Sequence, residues 1–295
     1  MEYSETRIYK TAENALRMAR KAVPLYSCKY SKRTYTQHQH IAVLCIRVLL
    51  RQKLRRTEEM LSNMPHLCQL LELKQVPDFS TMSRAMKRLR SKVLAVMLYL
   101  SASALPASGK ASIDATGFDR RHCSKHYVKR CRMTLGSMKT TFIVDTRSLM
   151  ILAIHMTATR RHDTRIIVPL ATEARKRFGI KIMPGDKGYD DEDKRRMLRS
   201  IGIRPLIKHR EFGSINKAQN ARIDPVEYHR RSLSETVNSM LKRKYDDTLH
   251  TIGYHSQCKE ILLMVVVHNI ERKISLLSFI QLRISTKPKF FKHLL

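Results

Sequence analysis

A chain of 295 residues with 57 lysines and arginines against 25 aspartates and glutamates carries a net charge of +32, and an excess that large repels itself unless a polyanion meets it. Its hydrophobic fraction of 43% supports a core, while the longest apolar run, ILLMVVV from Ile261, stops well short of the ~20 residues a bilayer needs and the start MEYSETRIYK lacks an apolar signal core. The protein is therefore expected to be soluble and intracellular, and nucleic acid is the economical partner; an anionic membrane surface is weaker, because no basic helix carries a clear aromatic insertion face, and a structural RNA binder is the plain alternative on charge alone.

Residues 1–107 read as helical. HIAVLCIRVLLRQKLRRTEEMLSNM carries a long helical stripe, and VPDFSTMSRAMKRLRSKVLAVMLYL opens on Pro77 with Ser80 or Thr81 as the cap before another periodic run. The shape is that of a helix-turn-helix, which puts Ser83, Arg84, Lys87 and Arg88 on a helix able to enter a major groove. An ordinary helical bundle with a solvated basic face has the same signature.

LPASGKAS from Leu105 reads as a linker, and after it the periodicity changes. SIDATGF, KTTFIVDT and MILAIHMT are strand-like, joined first by a basic loop and then by the tight RSL connection at Arg147 to Leu149. DTRIIVPLATEARKRFG from Asp163 is a helix closed by Gly179, IKIMPGD a strand ending at Asp186, DDEDKRRMLRSIG a helix and IRPLIK a strand. YHRRSLSETVNSMLK, from Tyr228 to Lys242, reads as one amphipathic helix, followed by an apolar helix over Gln257–Ile274 and a basic tail over 275–295. Three strands, helix, strand, helix, strand, helix pack naturally as a mixed sheet flanked by helices, so residues 108–274 read as an α/β domain behind an all-helical one.

The six cysteines show no C-x2-C pair and read as reduced thiols. HCSKHYVKRC offers His122, Cys123, His126 and Cys131 as zinc ligands, at a spacing that fits none of the usual zinc modules. His162 and Asp163, just before a helix, read either as substrate-positioning groups or, for Asp163, as an N-cap.

At about 100° per residue, Tyr228, Arg231, Glu235 and Lys242 fall within an arc of roughly 60°, opposite Leu233, Val237, Met240 and Leu241. Glu235 is one of three acids in special places, with Asp114 inside the first strand and Asp186 at the end of the fourth. Three carboxylates converging in one cleft repel each other unless divalent cations offset the charge, as in two-metal phosphoryl-transfer sites, and oxygen-only ligands favour Mg2+ or Mn2+ over Zn2+.

The spacing Y-x2-R-x3-E-x6-K, met by Tyr228, Arg231, Glu235 and Lys242, together with SIDATGF around Asp114 and GDKGYDD around Asp186, resembles insertion-sequence transposases of the DDE class over roughly Ser112 to Arg272. The resemblance implies a catalytic domain of the retroviral-integrase or ribonuclease H type, in which Asp114, Asp186 and Glu235 bind two Mg2+ or Mn2+ ions and Tyr228, Arg231 and Lys242 hold DNA through phosphates. It also implies an enzyme that cuts at the terminal inverted repeats of its element and joins the 3′ hydroxyls to target DNA. Two protomers would pair the two ends, in the nucleoid-associated cytoplasm of a prokaryotic host. One departure is that only HREFGSINKAQNARIDPVEYHRRSLS separates the last strand from Glu235, leaving no room for the long β insertion on which hairpin processing depends in some relatives. The rival readings are a structure-selective nuclease of the same fold and a non-catalytic DNA-binding protein derived from a transposase.

Overall fold

Six helices come first: α1 Arg7–Ala22, α2 Gln37–Leu49, α3 Leu54–Ser62, α4 Pro65–Leu70, α5 Phe79–Arg88 and α6 Ser91–Ala102. Two of them, α2 and α5, begin where a side chain takes up a free backbone N–H group. Thr36 closes a capping box with Gln39 before α2, Pro65 opens α4, and the Asp78 carboxylate accepts the Thr81 N–H before α5. The cap of α5 is therefore Asp78, ahead of the expected Ser80 or Thr81. The computed structural model describes residues 6–120, 125–130, 136–158, 164–211 and 213–285.

Beyond the linker come β1 Ala111–Phe118, the short α7 Lys125–Arg130, β2 Met138–Asp145, β3 Ile151–Thr157, α8 Thr164–Phe178, β4 Ile182–Gly185, α9 Glu192–Ser200 and β5 Arg204–Ile207. Four helices follow: α10 Ser214–Ala221, α11 Pro225–His229, α12 Ser232–Tyr245 and α13 Tyr254–Ser285. The strands form one sheet in the order β3-β2-β1-β4-β5. β1 pairs antiparallel with β2 and β2 with β3, whereas β1 and β4, and β4 and β5, are parallel. This is the expected ribonuclease H-like mixed sheet flanked by helices and preceded by a helical region. The RSL connection is organised by Asp145, 1% exposed, whose carboxylate accepts the Ser148 N–H and hydroxyl, both at 2.8 Å, and the Ser108 hydroxyl at 2.7 Å. That acid is saturated and structural.

α13 is apolar on every side from Ile261 to Val267 and is buried there accordingly. It packs on α1, α2, α6 and β3, so one continuous core runs from Leu16, Ile46 and Met97 through Val266 to Phe142 and Leu241. A second core, with Ile113, Ile167, Met183 and Leu198, fills the other side of the sheet under α8 and α9. The change of periodicity near residue 107 thus separates two kinds of secondary structure that share one interior. α13 also runs longer than the expected Gln257–Ile274, and residues 275–285, assigned to a tail, continue the helix.

Asn269 of α13, fully buried, closes the exposed edge of β3: its Oδ1 accepts the Ile151 N–H at 2.8 Å and its Nδ2 donates to the Ile151 carbonyl at 2.9 Å. Next to it, His268 Nε2 bonds the Leu149 carbonyl at 2.9 Å, and burial drives its pKa down to about 4, so at neutral pH the ring is uncharged and donates that bond. Asn269→Leu leaves two buried backbone groups of Ile151 unpaired and should cost about 3 kcal/mol. Urea unfolding checks this; a midpoint like that of the wild type would show that the edge is satisfied in another way.

Candidate active site

Gly185 lies in register with Ile113 on one side and Ile207 on the other. A Cβ at this position would stand 3.2 Å from Ile113 Cγ2 and 3.3 Å from Ile207 Cγ1, so the three positions share the face that carries the second core. Side chains alternate along a strand, and Asp186 still has extended backbone, φ −73° and ψ 161°. The next residue of each strand, Asp114, Asp186 and Lys208, is therefore directed to the opposite face.

α12 packs on that face against β1 and β2. Its buried stripe is Ser234, Val237, Asn238, Leu241 and Tyr245, which leaves Glu235 in the first turn, where the helix dipole favours a carboxylate. Asn238, one turn on and 6% exposed, donates Nδ2 to Asp114 Oδ2 at 2.8 Å; its own Oδ1 is buried without a partner. Burial raises the Asp114 pKa, and the charges of Glu235 and Asp186 raise it further, against the Ala115 N–H and Asn238, which lower it. The three acids foreseen from sequence thus share one neighbourhood.

They do not meet at one point. Among the described residues no three His, Cys, Asp or Glu side chains close on a common position as metal ligands do. Arg231 stands between two of the acids, its Nη1 2.9 Å from Glu235 Oε1 and 3.7 Å from Asp186 Oδ1. The donor set still fits a hard divalent cation: it is all oxygen, Asp114 is pressed by two like charges, and a buried amide oxygen beside it lacks a donor.

The single helix expected over Tyr228 to Lys242 is broken. α11 begins at Pro225 behind the Asp224 cap, and between it and α12 the ladder tightens to i→i+3 bonds, Arg231 N to Tyr228 O at 3.1 Å and Ser234 N to Arg231 O at 3.2 Å. Ser232 and Ser234 hydroxyls bond the His229 and Arg231 carbonyls at 2.9 and 2.7 Å, competing for the acceptors of a regular helix. The extra rotation carries Tyr228 off the polar row and into the protein, 5% exposed. Its ring is flanked by Lys208 Nζ at 4.7 Å and Arg231 Cζ at 5.3 Å from the centroid. Leu233 and Met240, expected on the buried side, are only half-buried. Lys242 keeps its place two turns, about 10 Å, beyond Glu235, with its ammonium over the Phe118 ring.

Arg84, Lys87 and Arg88 are exposed on α5 and Ser83 is half-buried. α5 packs on α2, α3 and α13, and the buried Lys259 of α13 donates to its last carbonyls, Met86 O at 3.3 Å and Lys87 O at 2.8 Å. His122, Cys123, Cys131, His162 and Asp163 lie outside the described residues, and His126 is exposed. Two residues of the site went unnoticed in the sequence. Asn238 was signalled by an amide standing in an apolar stripe, Lys208 by a cation just past a buried strand.

The raised pKa of Asp114 has a stability consequence with a definite sign. A carboxyl that holds its proton more tightly when folded contributes stability that is present below its unfolded pKa and is lost as pH rises through the folded one. Asp114→Asn, with Asn238 free to turn its Oδ1 toward the new amide, should melt higher than the wild type in EDTA at pH 7, by about 2–4 °C for each kcal/mol released. The gap should close as pH falls below the carboxylate range. Melting curves across pH test it, and a variant less stable than the wild type at neutral pH would contradict the strain assigned to this acid.

No curated protein matches the chain. A family model for the transposase DDE domain matches residues 108–270, more than half of it and the whole of the sheet and cleft just described. The chain belongs to the transposase DDE domain family.

Proposed function

We propose that this transposase cuts DNA at the two ends of an insertion sequence and joins the freed 3′ hydroxyls to target DNA. The observation that carries the reading is that Asp114, Asp186 and Glu235 lie close enough on one face of the sheet to act on each other's charge, with Arg231 between two of them, inside the region matched by the family. Members of the family typically use divalent metal ions; two Mg2+ or Mn2+ ions held by the three acids would make the attacking oxygen a better nucleophile and offset the charge on the leaving oxygen. Asn238 fixes the orientation of Asp114 through its 2.8 Å bond. Arg231 bridges Asp186 and Glu235 and, where cations neutralised those charges, would be free to hold a phosphate of the strand being cut. Lys242 takes a flanking phosphate about two turns away. α5, with Ser83, Arg84, Lys87 and Arg88, reads the terminal inverted repeats, and a homodimer pairs the two ends. No helix among the described residues is long and apolar enough to cross a membrane; the site of action proposed from the family is the nucleoid in the cytoplasm of a prokaryotic host.

The test is an assay with duplexes taken from the DNA flanking the gene, Mg2+ and a target plasmid. Wild-type protein should give cleaved ends and joined products. Glu235→Gln should bind the ends nearly as the wild type does and give neither product, and Arg231→Ala should bind more weakly, with its log-log salt slope reduced by about one phosphate contact. Asn238→Leu, which removes the orienting bond on a metal-binding acid, should lower metal affinity or cleavage by about 10–100-fold. Cleavage without joining would identify a nuclease, and binding without cleavage a non-catalytic descendant; either result contradicts the proposal.

A further inference from the structure

We propose that Lys208 is an anion-binding residue of the cleft, taking a non-bridging phosphate oxygen of the DNA strand that lies across the acids. No motif in the chain assigns it that role, and the inference rests on the reading of the cleft as a DNA site. Ile113, Gly185 and Ile207 are aligned across β1, β4 and β5, so Asp114, Asp186 and Lys208 form the next rung. With parallel neighbours about 4.8 Å apart, Lys208 begins about 5 Å from Asp186 and about 10 Å from Asp114 along that row. A phosphate backbone crossing the strand ends meets two carboxylates and then an ammonium.

Four cations near it are engaged. Arg231 faces Glu235 and Asp186, Lys187 faces Glu211 at 3.3 Å, and Glu227 receives both Lys110 at 2.5 Å and Arg230 at 3.4 Å. Lys208 enters no ion pair among the described residues; its contact is the Tyr228 ring, 4.7 Å from Nζ. An aromatic face steadies an ammonium without neutralising it, so the charge stays available to a ligand. This also accounts for a buried tyrosine in a motif otherwise made of charged residues: Tyr228 acts through Lys208 and Arg231, as a positioning residue for both.

The experiment uses the full chain and a duplex carrying the element end, with affinity measured by fluorescence anisotropy between 50 and 200 mM salt. Lys208→Met should lower the log-log salt slope by about 0.9, so that its deficit relative to the wild type shrinks about 3-fold over that range, whereas Lys208→Arg keeps the slope. A series of duplexes with one methylphosphonate at successive positions around the cut should include a position that weakens the wild type and leaves Lys208→Met indifferent. Lys208→Gln serves in place of Lys208→Met if urea unfolding shows that the latter does not fold. A lysine that merely covers an aromatic surface would give neutral variants with the wild-type slope and the wild-type interference pattern, which overturns the role of Lys208 alone. A wild type insensitive to every neutralised phosphate near the cut would overturn the DNA reading of the cleft, and the role of Lys208 with it.

Discussion

The register of β4 between β1 and β5 is the constraint on which the site depends. Gly185 is admitted between Ile113 and Ile207 because it has no side chain; a methyl group there would press both isoleucines at 3.2–3.3 Å. That close approach aligns three parallel strands on one rung and gives their buried side chains to the core under α8 and α9. Because side chains alternate, the following rung carries Asp114, Asp186 and Lys208 to the face covered by α12. A one-residue slip of β4 would bury Asp186 and turn the core outward. The placement of two acids and a lysine is thus a by-product of packing three apolar positions.

Electrostatics then works against the packing. Asp114 is half-buried and faces two other carboxylates, which raises its pKa along with burial. The Ala115 N–H and the Asn238 amide relieve Asp114, and the Arg231 guanidinium faces the other two acids. Such a cluster is unfavourable for folding and suited to binding cations, the trade expected of a site that stores local strain for function. Arg231 is suited to an exchange of partners because its planar fork matches carboxylate and phosphate equally well. Tyr228, with its ring between Arg231 and Lys208, keeps both cations at the edge of the cleft.

Much of this could be read along the chain, because strands with alternating burial and helices with clear caps announce themselves locally. The order of the strands and of the longer helices, and the positions of Asp114 on β1, Asp186 after β4 and Glu235 on α12, agree with the sequence reading, whereas the short α7 and α10 lie where the sequence reads as loop. Features set by distant partners could not be read in this way. Lys208 gains meaning only from the β4–β5 register, and Asn238 only from the contact of α12 with β1. The break before α12 depends on serine hydroxyls that compete for backbone carbonyls, so 100° periodicity placed Tyr228 on the polar row when the tightened turn buries it. The shared core had a local signal: an all-apolar helix such as Ile261–Val267 must be covered on every side. What covers it, helices α1, α2, α5 and α6 together with β3, comes from tertiary structure.

The proposed chemistry requires Asp114, Asp186 and Glu235 to serve one metal site. Loading the protein with Fe2+ in place of Mg2+ and adding ascorbate and peroxide generates hydroxyl radicals that cut the backbone only near the bound ion. Mass spectrometry of the fragments should locate cuts around residues 114, 186 and 235, suppressed together by excess Mg2+ or Mn2+ and lost together in Asp186→Ala. Cuts at only one of these segments, or cuts clustered elsewhere and indifferent to Mg2+, would contradict it.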